Sequence, residues 1–276
     1  MARSPVPETL SARHPTIQRL RRLSRRRSSR SDEGAYVIDG PLLVGDALDA
    51  GVPLDEVVAE PGAPADLLAR AAEAGAKVRS VDDGVLARVT DTVTPQPVAA
   101  IARFADIPPG TAAAAAGPLA LVLVGVGDPG NAGTLLRSAE AAGAGAAFFC
   151  DGSVDPYGPK CVRSSAGSVF RLAVVREAPS DEAIEALQAR GVTTVATVAR
   201  GPAEAYDRVD LAGPVAVVLG SEAHGLPAGV AERVDIAVTI PMAGRTESLN
   251  VAMAGTILCF ESLRQRRSRD LRNRLD

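Results

Sequence analysis

The stretch from Val215 to Gly255 reads VAVVLGSEAHGLPAGVAERVDIAVTIPMAGRTESLNVAMAG. It opens on an apolar, β-branched run, Val215 to Leu219, that breaks at Gly220-Ser221-Glu222. That pattern predicts a buried parallel strand ending in a sharp turn. A second strand, Asp235 to Ile240, stops at Pro241. A polar loop follows from Ala243 to Ser248, then an apolar helix starting near Leu249-Asn250. Two strand ends and a helix start, all rich in Gly and small polar residues, predict a ligand cleft. Its polar side chains are Ser221, Glu222, Arg245, Thr246, Glu247, Ser248 and Asn250. The stretch holds no metal-ligand cluster and no Cys or Ser beside an obvious base.

Upstream, LALVLVGV (119–126) reads as another buried strand, followed by a helix over 132–142 and a strand, AAFFCD. A loop leads to a helix from Pro159 to Ala166. RLAVVRE and VTTVATV are strands, with a helix between them that Gly191 stops, and 203–206 is loop. The last helix runs from Asn250 to about Arg267. Strands alternating with crossover helices make a parallel α/β sheet.

Three segments, in order, carry a family resemblance. They are DPGNAGTLLRSAEAAG (128–143), VVLGSEAHGL (217–226) and IPMAGRTESLNVAMAGTI (240–257). Together they resemble the three motifs of the SpoU (TrmH-like) RNA ribose 2′-O-methyltransferases, within the SPOUT class. The resemblance implies S-adenosylmethionine as methyl donor, no metal, a deep trefoil knot around the site, and a homodimer paired through the helices of the first and third motifs. By the same resemblance Gly220, Ile240 and Leu249 match cofactor-contacting positions, with Thr197 to Arg200 as neighbours at another strand end. Asn131, Arg137, Glu222, Ser248 and Asn250 match the functional polar positions. Each has a plainer reading beside this one: Asn131, Ser248 and Asn250 as helix caps, Glu222 in a structural ion pair, Ile240 and Leu249 as core. His224 stands where the family varies, and no catalysis is assigned to it. Arg163, Arg171 and Arg245 are read either as phosphate contacts or as solvated charges.

The 276 residues are enough for two domains. Lys77 and Lys160 are the only lysines, so arginine carries almost all the positive charge. The formal net charge of -3 hides an asymmetry: from Arg13 to Arg30 there is no acid, and 264–274 is again basic. Met1 to Ser11 is expected to be disordered. His14 to Ser29 predicts one short helix with Ile17, Leu20 and Leu23 on one side. Arg19, Arg22, Arg25 and Arg26 are its candidate RNA contacts; a basic docking helix is the other reading. The expected division is a basic extension (1–31), an RNA substrate-binding domain (32–106), a Pro/Gly/Ala linker (107–117) and a methyltransferase domain (118–276). The second of these resembles the ribosomal-protein-like α/β sandwich that precedes SpoU catalytic domains, although Pro97 departs from the family's usual Gly after Gln96. Cys150, Cys161 and Cys259 lack metal spacing and fit a reducing cytoplasm. No apolar run reaches the ~20 residues of a membrane span, and the N-terminus does not read as a secretory signal.

One competing signal remains. Gly125-Val126-Gly127-Asp128-Pro129-Gly130 matches G-x-G-x-x-G between a strand and a helix, and Asp151 follows about twenty residues on. A dinucleotide-binding dehydrogenase is the reading this invites. Asp128 would set a charge beside the pyrophosphate, and Pro129 removes an amide from the anion-binding turn. The leading expectation is methylation of a ribose 2′-hydroxyl, in 23S rRNA more than in tRNA, with antibiotic resistance as one outcome the resemblance implies. An RNA-binding protein with a methyltransferase fold and no turnover is the alternative.

Overall fold

The computed structural model describes residues 9–11, 13–90, 94–198, 203–246 and 248–274. The chain forms two compact units. One is the described part of 1–105 together with Tyr157–Phe170, and the other is 106–156 with Arg171 onward.

In the first unit the elements are β1 (Thr9–Leu10), α1 (Pro15–Arg25), α2 (Arg27–Glu33), β2 (Ala35–Asp39), α3 (Pro41–Asp49), β3 (Leu54–Ala59), α4 (Ala65–Glu73), β4 (Lys77–Val81) and β5 (Val98–Arg103). Among the described residues they build a five-stranded sheet in the order β1-β4-β3-β5-β2, with β5 antiparallel to both neighbours. The expected disorder over 1–11 meets a strand at Thr9–Leu10, and residues 1–8 lie outside the described residues. The single helix expected over His14 to Ser29 is two helices. Arg26 takes an extended backbone, φ -121° and ψ 118°, and breaks it, and Gly34 at φ 61° closes the second. Nor is this segment an extension: Ile17, Leu20 and Leu23 are fully buried in the core with Val37, Leu86 and Ile101. Burying three large aliphatic side chains contributes roughly 1.5–3 kcal/mol each, so α1 is a structural layer of this unit.

The second unit contains α5 (Pro109–Ala115), β6 (Leu119–Leu123), α6 (Pro129–Ala141) and β7 (Ala144–Cys150). The chain then departs into the first unit. There α7 (Pro159–Ser164) packs on β2, and Tyr157 stacks on Phe104 at 4.9 Å and meets Tyr36 at 4.6 Å. It returns as β8 (Ala173–Ala178), α8 (Ser180–Gln188), β9 (Thr193–Thr197), β10 (Glu204–Ala205), β11 (Val215–Leu219), α9 (Ala228–Ala231), β12 (Ile236–Thr239) and α10 (Val251–Asn273). Among the described residues seven parallel strands lie in the order β10-β12-β9-β11-β6-β7-β8. Every residue of β6 and β11 is buried, as continuous apolar runs in a two-sided sheet require.

Two boundaries differ from the expectation. The linker is the helix α5, seated in the core through Ala112, Ala113 and Ala116. Alanine has the best helix propensity and Pro109 is preset for a helix start, so the run folds once it has a surface to cover. Gly145 supplies that surface: a Cβ there would strike the backbone of Ala115 and Ala116. The second difference is that 157–170, inside the span expected for the last domain, groups with the first unit.

Candidate active site

At the carboxyl ends of β9, β11 and β12 lies a cleft of about 1200 Å3, just above the roughly 300–1,000 Å3 usual for small-molecule sites. Thr197, Gly220, Ile240, Leu249, Ser248, Glu222 and Asn250 all line it. Parallel strands end there because each crossover helix carries the chain back to the opposite edge, leaving the strand-to-helix loops together. Ala199, Arg200 and Glu247 lie outside the described residues. Val198 and Thr246, named in the sequence reading, line it as well, whereas Thr239 and Met242 were missed and His224 was given no part; these last three are loop and strand-end residues with no periodicity to mark them.

Asn131, Glu222 and Asn250 form one network. Asn131 Nδ2 donates to Glu222 Oε1 at 2.9 Å, and Asn250 Nδ2 donates to Asn131 Oδ1 at 3.1 Å. The Gly127 amide donates to Glu222 Oε2 at 3.3 Å. Burial pushes the Glu222 carboxyl up, but hydrogen bonds from Asn131 and from the backbone of Glu222, Gly127 and Asp128 outweigh it and hold the group below its ordinary range. Asn250 also caps α10, its Oδ1 accepting from Ala252 N at 2.9 Å and Met253 N at 3.4 Å. Asn131 is not a cap. Asp128 caps α6 by accepting from Asn131 N at 2.8 Å, with Pro129 at the first helical position. The Asp-Pro pair was the available signal for this. Ser248 is exposed, and its carbonyl accepts from Thr246 Oγ1 at 3.1 Å.

Two carboxylates therefore occupy the amides that a pyrophosphate would need at this turn, which removes the dinucleotide reading. Gly220, which lines the cleft, is also required by the loop that follows it. A Cβ there would collide with the backbone of Gly225 and Leu226, which fold back through paired bonds between Ser221 and Gly225 of 3.0 and 2.8 Å. Its lack of a side chain serves the loop first, so Gly220→Val would break the loop and is no clean probe of ligand contact.

Arg137 is exposed on α6, outside the cleft lining, and makes no hydrogen bond or ion pair with any described residue. Arg245 is likewise exposed. Arg171 is paired with Glu140 at 3.0 Å. In the first unit Arg19 is held by Glu33 at 2.8 Å, Asp55 at 2.9 Å and Glu56 at 3.6 Å. That is a correction: Arg19 fastens α1 and is not a free phosphate contact. Arg22 pairs with Glu33 at 3.1 Å, whereas Arg25 and Arg26 are exposed. Cys150 and Cys259 are pushed up to about 12 by burial, so neither thiol ionises near neutrality. Among the described residues no cluster of His, Cys, Asp and Glu could hold a metal ion, and no helix is long and apolar enough to cross a membrane.

The sequence profile of the SpoU rRNA Methylase family matches residues 118–260, and that of the MRM3-like substrate binding domain matches 14–100. The 23S rRNA (guanosine(2553)-2'-O)-methyltransferase RlmP of Bacillus subtilis is 32% identical over 253 residues, 91% of this chain and 96% of that one. The crystal structure of an AdoMet-bound rRNA methyltransferase from Sinorhizobium meliloti matches with a TM-score of 0.84 at 32% identity, over 94% of this chain and 97% of that one. The SpoU methyltransferase AviRb from Streptomyces viridochromogenes, in complex with AdoMet, matches at 0.80 and 28%, over 93% and 99%.

Proposed function

The chain belongs to the SpoU rRNA methylase family, and on that premise we propose that it is a cytoplasmic enzyme that methylates a ribose 2′-hydroxyl of 23S rRNA from S-adenosylmethionine. The carrying observation is the cleft with the Asn131–Glu222–Asn250 network at its edge. The cleft fits this cofactor and not a phosphorylated one. Its described lining holds no Lys or Arg and one carboxylate, Glu222, which suits a cationic sulfonium. Gly220, Ile240 and Leu249 would hold the adenosyl part through backbone groups and half-buried apolar walls, with Thr197 beside them. S-adenosylmethionine supplies an activated methyl group whose departure needs no acid.

This chain's residues then have to bind and orient the ribose and to manage one proton. Asn131 and Asn250, already tied together, orient the ribose with Ser248. Glu222 stays ionised and anchors Asn131. Arg137 stabilises the alkoxide that develops at the 2′-oxygen while the hydroxyl proton passes to an RNA phosphate or to water. Arg137 is exposed and outside the lining of its own cleft, and on this reading it completes the cleft of a second copy in a homodimer. Met253 and Phe260, 59% and 45% exposed on α10, supply the apolar contact for that pairing. The trefoil knot belongs to the same reading: β11 lies between β9 and β6, and the chain beyond β12 returns to start α10 against β11 and α6. RNA affinity comes in part from the first unit, through Arg22, Arg25 and Arg26.

The test is transfer of labelled methyl to ribosomal RNA, followed by mapping of ribose methylation with and without the protein. A single new 2′-O-methyl in 23S rRNA is expected. RNA binding without any transfer would favour the binding-protein alternative. A resistance role adds that expression raises tolerance to a ribosome-targeting antibiotic, and that Arg137→Ala abolishes the effect.

A further inference from the structure

From Arg264 to Arg274 the last helix carries six arginines against one acid, Asp270, in a chain whose formal net charge is -3. Three of the six are engaged. Arg264 is paired with Glu261 at 2.7 Å and Arg269 with Asp210 at 3.2 Å. Arg266, half-buried, donates to the Ala142 carbonyl and to Ser262 Oγ, both at 2.6 Å. Arg267, Arg272 and Arg274 are exposed, and their side chains make no hydrogen bond or ion pair with any described residue.

The helix does not extend this far to bury anything: past Arg266 every described residue except Ser268 is exposed. Like charges three apart, Arg264 with Arg267 and Arg269 with Arg272, oppose helix formation by a few tenths of a kcal/mol each. The helix dipole favours cations in the last turn, which accounts for Arg272 and Arg274 but not for Arg267.

The exposed stripe changes character along its length. Met253, Phe260, Arg267 and Arg274 recur every seven residues, so they share one side of α10. Its first half is apolar and suits a second copy. Its second half is basic, and a two-fold interface would set the same positive patch against itself. A polyanion is the complementary occupant.

We propose that the end of α10 is a second RNA-docking surface, gripping backbone phosphates of the substrate RNA through Arg267 and Arg274 on this stripe and through Arg272, about 140° round the helix from Arg267. This rests on the methyltransferase reading only for the identity of the RNA. At 1.5 Å per residue these arginines lie roughly 25 to 35 Å along the helix from Asn250 at the cleft. The surface therefore touches RNA well away from the methylated nucleotide. It favours long, folded substrate over a short fragment.

The experiment compares the full-length chain with an Arg267→Ala/Arg272→Ala/Arg274→Ala variant and with the corresponding triple Lys variant. RNA binding is measured over a salt series, on 23S rRNA and on a short single-stranded fragment of it, alongside S-adenosylmethionine affinity and the far-UV spectrum. For the Ala variant on long RNA, the log–log salt slope should fall by about two to three. KM should rise at least tenfold with kcat nearly unchanged. The Lys variant should restore the slope. Cofactor affinity and helicity should be unaltered, and the short fragment should bind both proteins equally. An unchanged slope on long RNA would overturn the proposal. So would a slope that falls equally on the short fragment, or a variant that turns monomeric with its slope intact. If the unaltered protein binds RNA with the expected salt slope yet transfers no methyl, the methyltransferase reading fails while this surface stands.

Discussion

Arg137 sits on the exposed side of α6, six residues past Asn131, and the two are about 120° apart around the helix. The proposed homodimer assigns them to different clefts. Arg137→Ala should lower methyl transfer by at least a hundredfold while leaving cofactor and RNA affinity within about threefold, the pattern of a transition-state contact. Arg137→Lys should retain measurable turnover, because a point charge still stabilises an alkoxide. Equal loss in both variants would indicate that the planar guanidinium acts as a base. Glu222 makes a separate prediction. Its folded carboxyl is held below its ordinary range, so what it contributes is present above the unfolded value near ~4.3. That contribution is lost only as pH falls through the lower, folded value. Cofactor affinity should be flat from neutral pH down to the ordinary carboxylate range and fall below it. Glu222→Gln places an amide where the Gly127 N–H donates, and it should weaken affinity at all pH values and remove that acid limb. A titration of activity between pH 6 and 8 that disappears in Glu222→Gln would show Glu222 to be a base and not an anchor.

At the scale of elements, the strands of the second unit were legible because β6 and β11 are apolar along their whole length. The caps were legible in kind but not in assignment. Asn250 caps α10 as its type allows, while Asp128 takes the α6 cap and frees Asn131 for Glu222. Missed were features that depend on a partner surface: the Ala run that folds as α5 against Gly145, and the extended backbone at Arg26 that splits the first helix. The packing of α10 on α6 and β11 depends on a third such feature. A Cβ at Gly255 would run into Leu135 and Leu219, both fully buried. Gly255→Ala should therefore cost about 1–3 kcal/mol through overpacking, a fall in Tm of several degrees for a unit of this size. Calorimetry checks it, and a rise in Tm would mean that the two leucines repack without strain.

At the scale of the whole molecule, the chain passes between its two units three times, because 157–170 belongs with the N-terminal unit. Nothing local in that segment marks this: its Pro159 start and apolar Cys161-Val162 read as an ordinary crossover helix. A cut after the N-terminal half therefore does not fall between the two units. Deleting 1–104 takes away Tyr36 and Phe104, the ring partners of Tyr157, and β2, on which α7 packs. Such a fragment should show a lower Tm and expose apolar surface to dye, and an unchanged Tm would show that α7 needs no partner from the N-terminal segment. The dimer is tested by mixing two inactive chains. If Arg137 serves the partner's cleft while Asn250 serves its own, Arg137→Ala and Asn250→Ala each inactivate both sites of a homodimer. A mixed dimer carries one protomer with only Arg137 lost and one with only Asn250 lost. One of its clefts then combines an intact Asn250 with an intact arginine from across the two-fold axis, and the other combines both defects. Equal mixing places half the dimers in this form, so activity should recover to about a quarter of the unaltered level after unfolding and refolding together. Mixing without refolding should recover none until subunits exchange. No recovery from a refolded mixture that contains heterodimers would place Arg137 and Asn250 in the same protomer's site.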